Sequence, residues 1–213
     1  MCWSATADLL AGAAITTVGA LCVAGARRVR ELPLAALPLL LGAHQLVESA
    51  VWRAGGGAGP ATLAWAVIAL PLLAVWVPFA VLLAAPVPAR RRLVPSAVAG
   101  VVTAAFLSYC LAGRTVTAEV RGHTMGYVVD LPYAPLVVVG YLIATVGALL
   151  LGGDRQVRLL GVAVAAGAAF CAALWRLEYV STWCALAAVA SVLLLRRVRG
   201  PGWYGPVDGS PGR

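Results

Sequence analysis

Lysine is missing from this chain, and charge of either sign is scarce. Only 11% of the 213 residues are charged, against 62% hydrophobic. A soluble domain carries roughly twice that charge density, so the composition excludes an ordinary soluble protein and points to the membrane class. Without lysine there is no amine for a Schiff base, which excludes a retinal protein. Histidine occurs only twice, at His44 and His123. A catalytic zinc site usually takes three protein ligands and an open position, so histidine alone cannot build one. The cysteines, Cys2, Cys22, Cys110, Cys171 and Cys184, form no C-x-x-C pair, and their odd number gives no disulfide framework. All but Cys2 lie in or beside apolar runs and read as small buried hydrophobes. No basic segment precedes the first apolar run, so no cleavable signal is expected there and that run is read as a retained span.

What the chain does have is apolar length. A bilayer-spanning helix needs about 17–25 mostly apolar residues. Seven segments qualify: Ala5–Gly25, Leu32–Trp52, Ala61–Ala84, Leu93–Leu111, Ala134–Leu151, Leu159–Trp175 and Tyr179–Leu195. The last two are separated only by Arg176, Leu177 and Glu178. As one helix they would run about 55 Å at about 1.5 Å per residue, far beyond a hydrocarbon core of about 30 Å. A tight helical hairpin is therefore predicted. The fold class is all-α integral membrane, a seven-helix bundle over residues 1–195. The Gly- and Pro-rich remainder, 196–213, is expected to be a disordered tail.

Arginine sets the orientation. Twelve of the sixteen arginines follow the odd-numbered spans, and Arg53, Arg114, Arg121 and Arg176 lie on the other side. Arginine favours the cytoplasmic side, which places the N-terminus outside, the tail in the cytoplasm and the protein in the plasma membrane. The clusters flank spans and form no single basic face, so the bilayer, and no nucleic acid, is the expected partner. The longest loop, "GRTVTAEVRGHTMGYVVDLPYA", then lies outside. "TVTAEV" and "YVVDLPY" alternate polar and β-branched residues around a "RGHTMG" turn, which predicts a short β-hairpin able to act as a lid.

The second span is unusual. At about 100° per residue, His44, Glu48, Trp52 and Gln45 fall at about 0°, 40°, 80° and 100°, on one face. A carboxylate at this depth is costly, so that face should look into the bundle. Pro38 predicts a kink below it. Ser4 and Asp8 sit at the level of Glu48 on the first span. Ser108, Tyr109 and Cys110, and Cys171 to Cys184, bring further polar groups to the same half. The candidate ligand-binding residues are His44, Gln45, Glu48, Asp8, Arg176 and Glu178. Two alternatives stand beside a ligand pocket. A divalent metal at His44, Glu48 and His123, or Asp8, would give a membrane hydrolase. Ion pairs of Glu48 and Asp8 with Arg176 or Arg53 would be interhelical glue only.

The opening residues Met1, Cys2, Trp3, Ser4, Ala5 and Ala7, with Gln45 and Glu48 in the second span, resemble an uncharacterised family of bacterial multi-pass membrane proteins. Its members open Met-Cys-aromatic-Ser-Ala-x-Ala and carry Gln-x-x-Glu in span two; Trp3 stands where Phe is expected. The resemblance implies a membrane protein with no assigned activity.

Overall fold

The computed structural model describes residues 4–122, 124–173 and 181–199, and they are mostly helical. We number the helices α1 (Ala5–Gly25), α2 (Val29–Arg53), α3 (Pro60–Ala84), α4 (Val87–Gly113), α5 (Ala134–Leu151), α6 (Arg155–Ala173) and α7 (Ser181–Arg199). Strands β1 (Thr117–Arg121) and β2 (Thr124–Val128) lie between α4 and α5. The first five helices are long and apolar enough to cross a membrane.

Helix starts follow local chemistry. Ser4 caps α1, its hydroxyl accepting from Ala7 N at 3.2 Å. Proline in the first turn opens α3, α4 and α5, where its missing N–H costs nothing. Asp154 caps α6 by accepting from the N–H groups of Gln156 and Val157 at 2.8 and 3.1 Å. Helices α1 and α5 cover the residues of the first and fifth predicted segments. By contrast, α4 begins six residues before the predicted Leu93, because Pro86 and Pro88 start a helix that carries Arg90, Arg91 and Arg92 in its first turns. Apolarity marks the membrane-crossing part of such a helix and is blind to its charged extension.

Three helices are locally irregular. In α2 a turn at Ala36 divides Leu32–Ala35 from Leu37–Arg53, just before Pro38, where the kink is predicted. In α3 a π turn, Ile68–Leu72, contains Pro71. In α5 a second π turn covers Ile143–Gly147. The Tyr141 hydroxyl, two residues before that turn, donates to Ala69 O at 2.7 Å within the π turn of α3.

The hairpin is antiparallel, with Arg121 opposite Thr124 and Thr117 opposite Val128. Its turn is tighter than predicted, since Thr124, Met125 and Gly126 belong to β2 rather than to the turn. Gly122 at φ 63 supplies the left-handed backbone that a two-residue connection needs. An isolated bridge pairs Ala118 with Gly57 in the α2–α3 loop. There Gly56 passes so close that a Cβ would stand 2.5 Å from Ala118 O. The hairpin is thus tied to the loop beside it and covers one end of the bundle, burying Met125 and Ala118 against Val51.

The opposite end is rich in arginine. Arg197 pairs with Asp154 at 3.2 Å, Gly25 meets Val198, and Gly153 meets Ala89. These contacts bring the ends of α1 and α7 and the starts of α4 and α6 together. The large apolar core, with Cys22, Leu34, Val81, Leu93, Leu149, Leu160 and Leu194, lies toward this end. Gly167 on α6 faces Leu186 on α7. With the Asp154–Arg197 pair, that contact sets α6 and α7 antiparallel, so they are not one continuous helix. The predicted turn between them falls on 174–180, outside the described residues, as does most of the predicted disordered tail. Arg196, Arg197, Val198 and Arg199, also assigned to that tail, belong to α7.

Helices α1 and α2 touch through glycine. A Cβ on Gly19 would stand 2.6 Å from Leu39 N, and one on Gly42 would stand 2.8 Å from Thr16 N. Backbone cannot yield as a side chain can. Gly19→Ala is expected to cost about 1–3 kcal/mol by overpacking and to lower the thermal midpoint in detergent. Gly113→Ala, whose Cβ would meet nothing within 4 Å, should not. Equal midpoints for the two variants would contradict this packing.

Candidate functional site

The polar face of α2 is buried where the helical phase places it. Gln45, Glu48 and Ser49 are 2%, 1% and 2% exposed. The Ser49 hydroxyl donates to Ala5 O at 2.6 Å and holds the first turn of α1 against α2. Asp8, one turn further along α1, is 0% exposed and close enough to Glu48 for their charges to repel.

Aromatic rings close the site from two other elements. Trp65 of α3 lies against His44, with ring centroids 5.1 Å apart and planes tilted by 42°. Tyr127 of β2 stacks on Trp65 at 3.4 Å, with planes only 5° apart. The Tyr127 hydroxyl donates to Glu48 Oε1 at 3.5 Å, the outer limit of a hydrogen bond. The Trp52 indole N–H faces the Asp8 carboxylate and that of Trp65 faces Glu48, both outside hydrogen-bond geometry. Burial, and then the Glu48 and Asp8 carboxylates, push the Tyr127 phenol up, so it stays a protonated donor.

The charge at this end is unbalanced among the described residues. Their ion pairs are Arg114–Asp130, Arg121–Glu119 and Arg197–Asp154, and none involves Asp8 or Glu48. Arg53, one of the two cations expected to pair with them, is exposed at the end of α2. Both Asp8 carboxylate oxygens, His44 Nε2, Trp52 Nε1 and Trp65 Nε1 are buried with no hydrogen-bond partner among the described residues. Among those residues, no three His, Cys, Asp or Glu side chains gather as metal ligands would.

Of the predicted site residues, the structure brings Asp8, His44 and Glu48 to one place around Trp65 and Tyr127, and buries Gln45 on the same helix. Arg176, Glu178, His123, Cys2, Trp175 and the segment 174–180 lie outside the described residues. Ser108 and Tyr109 do not join the cluster: both are exposed on α4, Tyr109 at 80%, while Cys110 beside them is buried. Three contributors were not singled out by sequence: Ser49, Trp65 and Tyr127. Ser49 lies next to Glu48 and is within its reach by phase. Tyr127 was signalled weakly by strand alternation, which puts it on the face of buried Met125. Trp65 carried no signal, since an aromatic in an apolar span reads as packing.

No curated protein and no solved structure matches the chain. A family described as one of unknown function matches residues 1–203, nearly the whole chain. That span includes Asp8, the α2 polar face, the hairpin and the resemblance motif, and the chain belongs to this family of unknown function, DUF6629.

Proposed function

We propose that the chain is a seven-span plasma-membrane protein whose hairpin-covered end faces outside and holds a polar pocket. His44, Gln45 and Glu48 line it, with Asp8, Arg176 and Glu178 as charge partners. Its occupant is a small polar molecule, a lipid headgroup or an ion, and the protein acts as a sensor or transporter component. The observation that carries this reading is the burial of Asp8 and Glu48 together without a basic partner among the described residues. Buried charge without compensation is strongly unfavourable, and in membrane segments ionisable groups mark functional paths more often than structure. The apolar core toward the arginine-rich end favours a sensor component over a transporter, because it offers no polar exit. The gathering of arginine opposite the hairpin supports the orientation.

Two measurements test this. Val120→Cys, at an exposed hairpin position, should be labelled in intact cells by a membrane-impermeant maleimide in a background cleared of native thiols. Val29→Cys, exposed at the arginine-rich end, should be labelled only after permeabilisation. The reverse pattern would overturn the orientation. For the pocket, a compound that stabilises the purified protein at about 100 times its Kd should add about 2.7 kcal/mol, and much of that gain should vanish in Glu48→Gln. An undiminished gain in that variant would remove the pocket. A loss of stability in Glu48→Gln with no compound dependent on Glu48 would leave interhelical glue.

A further inference from the structure

We propose that the groove between α3 and α4 holds an acyl chain of an anionic phospholipid, whose phosphate is bound by Arg91. The groove begins at the arginine-rich end of the bundle and involves neither Asp8 nor Glu48.

Residue size makes the groove. Phe79 and Leu82 of α3 form one wall, and Val94, Val98, Val101 and Val102 of α4 form the other. Ala97 between them is too small to fill the space. At Gly100 the two helices are in close contact, since a Cβ there would collide with Ala74 O. That contact fixes the spacing of the walls, and the valines are stiff at χ1. The groove has a volume of about 340 Å³, and every residue lining it is apolar. Phe79 and all four valines are exposed, so it opens sideways toward lipid. From Arg91 to Val102 the helix rises about 16 Å, close to half of a hydrocarbon core of about 30 Å. The groove therefore suits an extended alkyl chain within one leaflet.

Charge selects the headgroup. At about 100° per residue, Arg91 falls about 20° from both Val98 and Val102, on the line of the groove and at its arginine-rich end. Arg90 is turned aside, its Nε donating to Ala85 O at 3.2 Å. Arg91 and Arg92 are exposed. The sequence has no acid between Glu48 and Glu119, so neither α3 nor α4 supplies a carboxylate. Of the acids at this end, Asp154 is held by Arg197 and Glu31 is buried. Among the described residues no ion pair engages Arg91. A guanidinium matches a phosphate with paired N–H donors. A zwitterionic lipid carries its own cation beside the phosphate, so the uncompensated arginines favour a lipid with net negative charge. A second copy of the chain fits less well. Arginine bias gives all copies one orientation, so a copy seated here would bring its own arginines to the level of Arg91.

The test places the full chain in phosphatidylcholine nanodiscs that contain a small fraction of a photoactivatable lipid with a diazirine on its acyl chain. The probe headgroup is phosphatidylglycerol or phosphatidylcholine, and labelled residues are mapped by mass spectrometry. The phosphatidylglycerol probe should label residues 79–82 and 94–102 about fivefold more than the phosphatidylcholine probe. Arg91→Gln should remove that excess. Arg199→Gln, which removes an equal charge from the exposed end of α7, should keep it. Unlabelled phosphatidylglycerol should compete, and glycerol phosphate, which has the headgroup without the chain, should not. Equal labelling by the two probes, an excess that survives Arg91→Gln, or an excess lost as fully in Arg199→Gln would each overturn the proposal. Competition by glycerol phosphate as strong as by the lipid would also overturn it and leave a phosphate site without an acyl chain. Cross-linking of Val98→Cys to a second copy, undiminished by phosphatidylglycerol in a background cleared of native thiols, would give the groove to that copy instead. The comparison of the two probes on the wild-type chain decides the matter even if a variant fails to fold.

Discussion

Helices α1 and α2 can approach because glycine stands where their backbones meet. Gly12, Gly19 and Gly42 remove the Cβ atoms that would collide with Leu46, Leu39 and Thr16. In a membrane, where apolar surface gives helices little reason to prefer each other over lipid, such close approach allows van der Waals contact and short hydrogen bonds. The Ser49–Ala5 bond is one of these. It fixes the relative height of the two helices, and that height puts Asp8 at Glu48. The buried acid pair is therefore a result of backbone contact further along the same interface.

The hairpin completes the arrangement from outside the bundle. A two-stranded hairpin alone is marginally stable, and this one is held on three sides. Gly57 pairs with Ala118, Val51 receives Met125, and Trp65 receives Tyr127. The cover bonds to Glu48 beneath it through the Tyr127 phenol. Opening there would break the Gly57–Ala118 bridge, the Met125–Val51 packing and the Tyr127–Trp65 stack, while the opposite end is closed by a large apolar core and the Asp154–Arg197 pair. The two ends of the molecule thus differ in polarity and in what holds them shut.

Much of this was legible in the sequence because lipid imposes simple rules. Apolar length locates the five helices that are long and apolar enough to cross a membrane. Helical phase alone gathered His44, Gln45, Glu48 and Trp52 on one face. Alternation located the hairpin. Other features depend on contacts between distant parts of the chain. Tyr127 reaches Glu48 across 79 residues of sequence, and no periodicity encodes that meeting. The tighter hairpin turn follows from strand register, which composition does not determine. Arg53 was expected as a charge partner from its nearness in sequence to Glu48. It lies more than one turn beyond Glu48, at the exposed end of the helix, where a guanidinium is better solvated than buried.

The central claim is that the hairpin is held onto the buried acid of α2 through Tyr127. A double-mutant cycle of Tyr127→Phe and Glu48→Leu, read by equilibrium unfolding of the purified protein, measures that contact. The account predicts that the two changes are coupled by about 0.5 kcal/mol or more. Effects that add to within about 0.3 kcal/mol would contradict it.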